Sequence, residues 1–211
     1  MLPFVTHVTA SCSSPAYTEG MTEKQFRERA RSELRQIGDQ LKGLATDRDI
    51  YWKFEREIVA TNPQLHDGRS GFLDMTRGCY AEAMTARLLR LLEPQDGSAS
   101  LHRILVQLPD HPELLNDKIT ERELVNDCRT LKGAAADLRN VTMPRAAHYE
   151  RTLSALASTH RELNSVLDML IATVKTYYWI VNDGYIDLDV RHAEDPMAIF
   201  QSAWAVPVLA K

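Results

Sequence analysis

Cysteine is scarce in this chain, and its three copies, Cys12, Cys79 and Cys128, are far apart in an odd number without a C-x-x-C pair. That suits a reducing compartment better than a disulfide scaffold. Glycine and proline, nine of each in 211 residues, are too few for a low-complexity or linker-dominated chain. No apolar run approaches the roughly 18 residues that span a bilayer, and the first residues lack a basic segment followed by a sustained apolar one. The expectation is a cytoplasmic protein without a membrane segment. Gly-rich phosphate loops and the His-Glu-x-x-His pattern are absent, as is the Glu-x-x-His pair that a di-metal bundle requires, so neither a cofactor nor a metal is expected. Asp189-x-x-His192 is the nearest approach to a metal pair, and it falls after the last helical pattern.

What is present is helical periodicity. Thr22 and Gln25 form a capping-box pattern ahead of Phe26, Ala30, Leu34, Ile37, Leu41 and Leu44, which recur in steps of four and three. A second helix is expected over about 47–60, with Ile50, Phe54 and Ile58 on its stripe and Asn62-Pro63 as its stop. A third starts near Ser70 with an apolar side of Phe72, Met75, Cys79, Ala83, Leu88, Leu91 and Leu92. A short one carries Leu101, Ile104, Leu105 and Leu108. Thr120 and Glu123 cap a helix with Leu124, Cys128, Leu131, Ala135 and Leu138 on one face. Thr159 and Glu162 read as the cap of a last long helix with Leu163, Leu167, Leu170, Val174, Tyr177 and Val181, closed by Asn182-Asp183-Gly184. The expected fold is all-α, a bundle of about five to six helices. Residues 1–20 form an extended arm, and residues 21–211 form the domain with a C-terminal tail anchored through Phe200 and Trp204.

A net charge of −4 argues against a generally cationic surface, but the charge is unevenly distributed. From Arg129 to Arg161 there are six basic residues (Arg129, Lys132, Arg139, Arg145, Arg151 and Arg161) against Asp137 and Glu150. Within this stretch His148 stands beside Arg139, Asn140 and Arg145. A histidine titrating near neutrality can move a proton while a guanidinium neutralises a phosphate, which is sufficient for metal-free cleavage of RNA because the 2′-hydroxyl is an internal nucleophile. The plainer reading is that these residues cap helix ends and hold a turn. His160, His102 and His111 are expected at the surface, Cys79 and Cys128 as small buried residues, and Tyr177, Tyr178 and Trp179 as packing rather than a ligand pocket.

The order of these features resembles the abortive-infection branch of the HEPN-like domains. The resemblance rests on the long first helix, Tyr51-Trp52-x-Phe54 with Asn62-Pro63, Phe72-Leu73-Asp74, Arg90-Leu91-Leu92-Glu93 followed by Ser100-Leu101, Leu138-Arg139-Asn140 leading to Ala147-His148, and Tyr177-Tyr178. It covers about residues 21–205. It implies a HEPN-like bundle in a phage-defence or toxin–antitoxin system, acting as a homodimer with an antitoxin or nucleotidyltransferase as partner. The implied activity is a metal-independent endoribonuclease whose motif falls on Arg139, Asn140 and His148, with Arg145 as a substitute for Arg139. Eight residues lie between Arg139 and His148, against four to six from arginine to histidine in the active members. The alternative is a non-catalytic module for dimerisation or for binding a partner or RNA.

Overall fold

The computed structural model describes residues 21–62, 65, 71–93, 99–115, 118–142 and 153–190. Among these the chain is an all-α bundle, and no strand occurs. The elements are α1 (Glu23–Lys53) running into a π-helical segment (Phe54–Val59), α2 (Gly71–Leu92), α3 (Leu101–Gln107) with a 3₁₀ turn (Leu108–Asp110), α4 (Pro112–Leu115), α5 (Glu121–Asp137) running into a π turn (Leu138–Thr142), and α6 (Leu153–Asn182). The arm 1–20, the turn at His66 to Gly68 and the tail residues Phe200 and Trp204 lie outside the described residues.

The two longest helices, α1 and α6, form the most extensive contact of the bundle, and α2 and α5 complete the enclosure of the core. α1 starts where Thr22 and Gln25 exchange capping bonds: the Gln25 N–H donates to Thr22 Oγ1 (3.3 Å), and the Thr22 N–H donates to Gln25 Oε1 (2.9 Å). Every residue of the expected α1 stripe from Phe26 to Leu44 is buried. The same holds for the whole expected faces of α5 and α6. Thr120 and Glu123 form the second capping box, with a bond of 2.8 Å from the Thr120 N–H to Glu123 Oε2. Asp183 turns α6 off in the left-handed region at φ 51°, its N–H donating to the Trp179 carbonyl (2.9 Å).

Four expectations are corrected. The first two helices are one, because no proline or helix-ending glycine motif separates Leu44 from Tyr51 and the stripe continues through polar members, Arg48, Tyr51 and Glu55. Ile50, Phe54 and Ile58 lie on the other side, in a small second cluster with Val59, Leu65 and Leu73. On α2 the core face is Leu73, Ala81, Met84, Leu88, Leu91 and Leu92, so Phe72, Met75, Cys79 and Ala83 face outward, Phe72 being 61% exposed. α6 begins at Leu153, two turns before the expected cap, which places Thr159 and His160 in its buried face. His111 is also buried, stacked on Phe26 with ring centroids 4.2 Å apart.

After α6 the chain runs without regular structure over 185–190 and crosses α1 at Gly38. A Cβ there would stand 2.6 Å from Ile186 Cδ1 and 3.0 Å from Leu188 Cδ2, so the segment rests on bare helix backbone, with Leu188 buried as its anchor.

Candidate functional site

Arg139 and Asn140 occupy the π turn that prolongs α5. Leu138 beside them is buried and fixes the turn to the core, while both polar side chains are exposed. The Arg139 guanidinium pairs with Glu93 at the end of α2. Arg145 and His148 lie outside the described residues, so the structure places two of the four expected site residues.

Arg139 is one end of a longer feature. Along α5 the basic residues are Arg122, Arg129, Lys132 and Arg139, spaced seven, three and seven apart. At 100° and 1.5 Å per residue they share about 100° of the helix circumference over about 26 Å of length. All four are exposed, and Val125 and Ala136, which fill the same stripe, are exposed too. The stripe borders the buried face of Leu124, Cys128, Leu131, Ala135 and Leu138, its centre about 110° away around the helix.

Of the acids of α5, Glu121 stands in the stripe at its N-terminal end, while two others are engaged. Glu123 closes the capping box, and Asp127 accepts a 2.8 Å hydrogen bond from the hydroxyl of fully buried Tyr177. On neighbouring α3, His102 is half-buried, and burial together with the charge of Lys132 lowers its pKa. The sequence signal for this surface was the excess of cations from Arg129 onward. Arg122, one heptad before that stretch, completes the stripe and is visible only when the helix is drawn in register.

A second polar constellation lies where the end of α1 meets α2 and α6. Arg77 forks onto Glu55 through Nε to Oε1 and Nη2 to Oε2, both 2.8 Å, and each side chain is only 13% exposed. The Tyr51 hydroxyl donates to Glu55 Oε1 (2.9 Å) and lies 3.3 Å from His160 Nδ1, while its ring stacks on Tyr80 at 3.9 Å between centroids. Burial opposes the charge of Glu55, but the bonds from Arg77 and Tyr51 outweigh it and hold the carboxyl below its ordinary range. Burial also pushes the Tyr80 phenol up to about 12.

His160 is held below the ordinary histidine range, chiefly because burial disfavours its cation, with Glu55 working in the opposite direction. A histidine whose folded pKa is depressed binds fewer protons in the folded state than in the unfolded one, so stability is full above about pH 6.5 and is lost as pH falls below it. His102 contributes with the same sign. In urea unfolding at pH 7.5 and pH 5.5 the wild type is expected to lose stability on acidification. His160→Gln is expected to lose measurably less between the two pH values, and an equal loss would count against a neutral buried His160.

The constellation is a packed joint rather than a cleft, and no group of three metal-ligating side chains occurs among the described residues. No helix among them is long and apolar enough to cross a membrane. Of the aromatic trio on α6, Tyr177 and Tyr178 are buried packing residues, and Trp179 is partly exposed beneath the Lys118 ammonium, 5.2 Å from its ring centroid. No protein-family model, no curated protein and no solved structure matches the chain.

Proposed function

We propose that the chain is a HEPN-like RNA-binding bundle that acts as a metal-independent endoribonuclease in a phage-defence or toxin–antitoxin setting. The observation that carries the reading is the exposed stripe of four cations along α5, which ends at Arg139 and Asn140, where the resemblance puts the motif. Cations about 5–11 Å apart along a rigid helix suit a phosphate backbone, and Val125 and Ala136 leave room between them. In the proposed reaction the 2′-oxygen bonds to the adjacent phosphorus as the P–O5′ bond breaks. His148 moves the proton, Arg139 or Arg145 meets the charge building on the phosphate, and Asn140 orients the substrate or His148. The products are a 2′,3′-cyclic phosphate and a 5′-hydroxyl.

Binding and cleavage are tested separately. Replacing Arg129 and Lys132 together by glutamine is expected to weaken binding of single-stranded RNA and to lower the slope of log affinity against log salt by about 1.4, two phosphate contacts at about 0.7 each. An unchanged slope would remove α5 from the interface. Cleavage of total bacterial RNA in EDTA by the wild type, with cyclic-phosphate ends and none from His148→Ala, is the expected second result.

The ion pair of Arg139 with Glu93 favours a second reading, a non-catalytic module that binds RNA or a partner, because the guanidinium is already neutralised. That reading predicts the salt-dependent binding without cleavage. Both carry a homodimer and an antitoxin or nucleotidyltransferase partner as proposals. The outward Phe72, Met75 and Cys79 of α2 offer a test of self-association through cross-linking at Cys79.

A further inference from the structure

A different pair of cations, on the opposite side of the sequence from the α5 stripe, converges on a single uncharged oxygen. Arg27, Arg31 and Arg35 follow one another at intervals of four along α1, so their side chains share one face. Arg27 is engaged with Glu23 at 2.8 Å. Arg31 and Arg35 are both exposed, and among the described residues neither has an acidic partner. Arg35 Nε instead donates to the Tyr178 hydroxyl at 3.2 Å, and Arg31, one turn earlier on the same face, is near enough to bear on the same hydroxyl.

Tyr178 is fixed. Its side chain is about 95% buried in the α1–α6 seam, so only its hydroxyl reaches the two guanidiniums. Burial alone would raise the phenol, yet the two arginines overcome it and hold the phenol below its ordinary range. Lys118, toward the end of α6, is bound to Asp183 and to the Ile180 carbonyl. Among the described residues, then, the two guanidiniums of the seam make no ion pair, although Glu28 and Asp39 stand within one turn of them on the same face of α1.

We propose that Arg31, Arg35 and the Tyr178 hydroxyl form a phosphate-binding site on the α1–α6 seam, separate from the α5 stripe. Two guanidinium forks and a hydroxyl that can rotate to donate offer hydrogen bonds from three directions, which suits a tetrahedral oxyanion better than a planar carboxylate. The phosphate is a terminal monoester, as on a nucleotide or a 5′-phosphorylated RNA end, or a backbone diester. This inference does not rest on the RNA reading of α5.

The test uses the full chain at about 0.1 M ionic strength, where exposed charges still act over about 10 Å. Inorganic phosphate, ADP, acetate, and one RNA oligonucleotide with either a 5′-phosphate or a 5′-hydroxyl are titrated by calorimetry. The proteins are the wild type, Arg31→Gln with Arg35→Gln, Tyr178→Phe, and Arg129→Gln with Lys132→Gln. Phosphate or ADP is expected to bind the wild type. The Arg31/Arg35 double variant is expected to bind at least about tenfold more weakly, the loss of one charge-assisted bond or more. Tyr178→Phe keeps the ring in the core and is expected to weaken binding less, and the α5 variant is expected to bind phosphate as the wild type does. A preference for the 5′-phosphorylated oligonucleotide identifies a monoester, and equal binding of both forms, still lost in the Arg31/Arg35 variant, identifies a diester. No binding of any phosphate, equal binding of acetate, or affinity unchanged in the Arg31/Arg35 variant with its helical signal intact would overturn the proposal.

Discussion

Arg77→Met is expected to destabilise the protein by about 3 kcal/mol at pH 7, the cost of leaving one partner of a buried ion pair alone. Glu55 then keeps only the Tyr51 hydroxyl as donor, in a site where its side chain is 13% exposed. Deprived of the guanidinium, the carboxyl is governed by burial, which raises its pKa. The variant's deficit should therefore shrink as pH falls and Glu55 takes up a proton, and grow as pH rises. Adding Glu55→Gln removes the stranded charge and should recover a substantial part of the loss. Urea unfolding at pH 5 and pH 8 reads both effects. A single variant within 1 kcal/mol of wild type at pH 8 would mean that the pair does not hold α1 to α2 as the geometry indicates.

The second large effect separates the two faces of α2. Leu88 is fully buried, so Leu88→Ala is expected to cost about 3 kcal/mol from lost transfer energy and the cavity left behind. Met75, 48% exposed, is expected to change stability by no more than about 0.5 kcal/mol when replaced by alanine in the monomer. Unfolding curves of the two variants compare them directly. A costly Met75→Ala whose cost disappears on dilution would instead locate an interface between copies on that face.

This contrast also explains what could be read in advance. α5 and α6 are apolar on one side only, and every residue of their expected stripes is buried. α2 is apolar on two sides, and spacing alone cannot choose between Phe72-Met75-Cys79 and Leu73-Ala81-Met84. Gly78 and Ala81, both small and buried on the true core face, leave almost no hydrophobic signal. His160 was hidden for another reason. It continues the α6 stripe at the same three-four spacing, His160, Leu163, Leu167, but stands in a Thr-x-x-Glu pattern that also marks a helix start.

The candidate surfaces divide in the same way. The α5 stripe needs one helix and its register, so most of it is visible as a run of cations. The Arg77–Glu55 fork spans 22 residues, and the Arg35–Tyr178 contact spans 143. Neither pair carries a local spacing rule, because their meeting is decided by how α1 lies against α2 and α6.

Two helices of this bundle, α1 and α5, end in turns wider than an α-helix, at Phe54–Val59 and Leu138–Thr142. A π turn closes over one more residue than an α turn, so each holds a residue that helical geometry does not require. The residues around it bear different burdens: Glu55 and Val59 are tied into the interior, while Arg56 and Glu57 face solvent. Such a turn is a place where reading length is elastic. A one-codon deletion at Arg56 or Glu57 can relax the segment to α geometry with the flanking faces still in phase, whereas the same deletion in the middle of α6 would rotate every downstream side chain by about 100°. The ends of α1 and α5 are therefore where this chain can gain or lose a residue over evolutionary time without losing its fold.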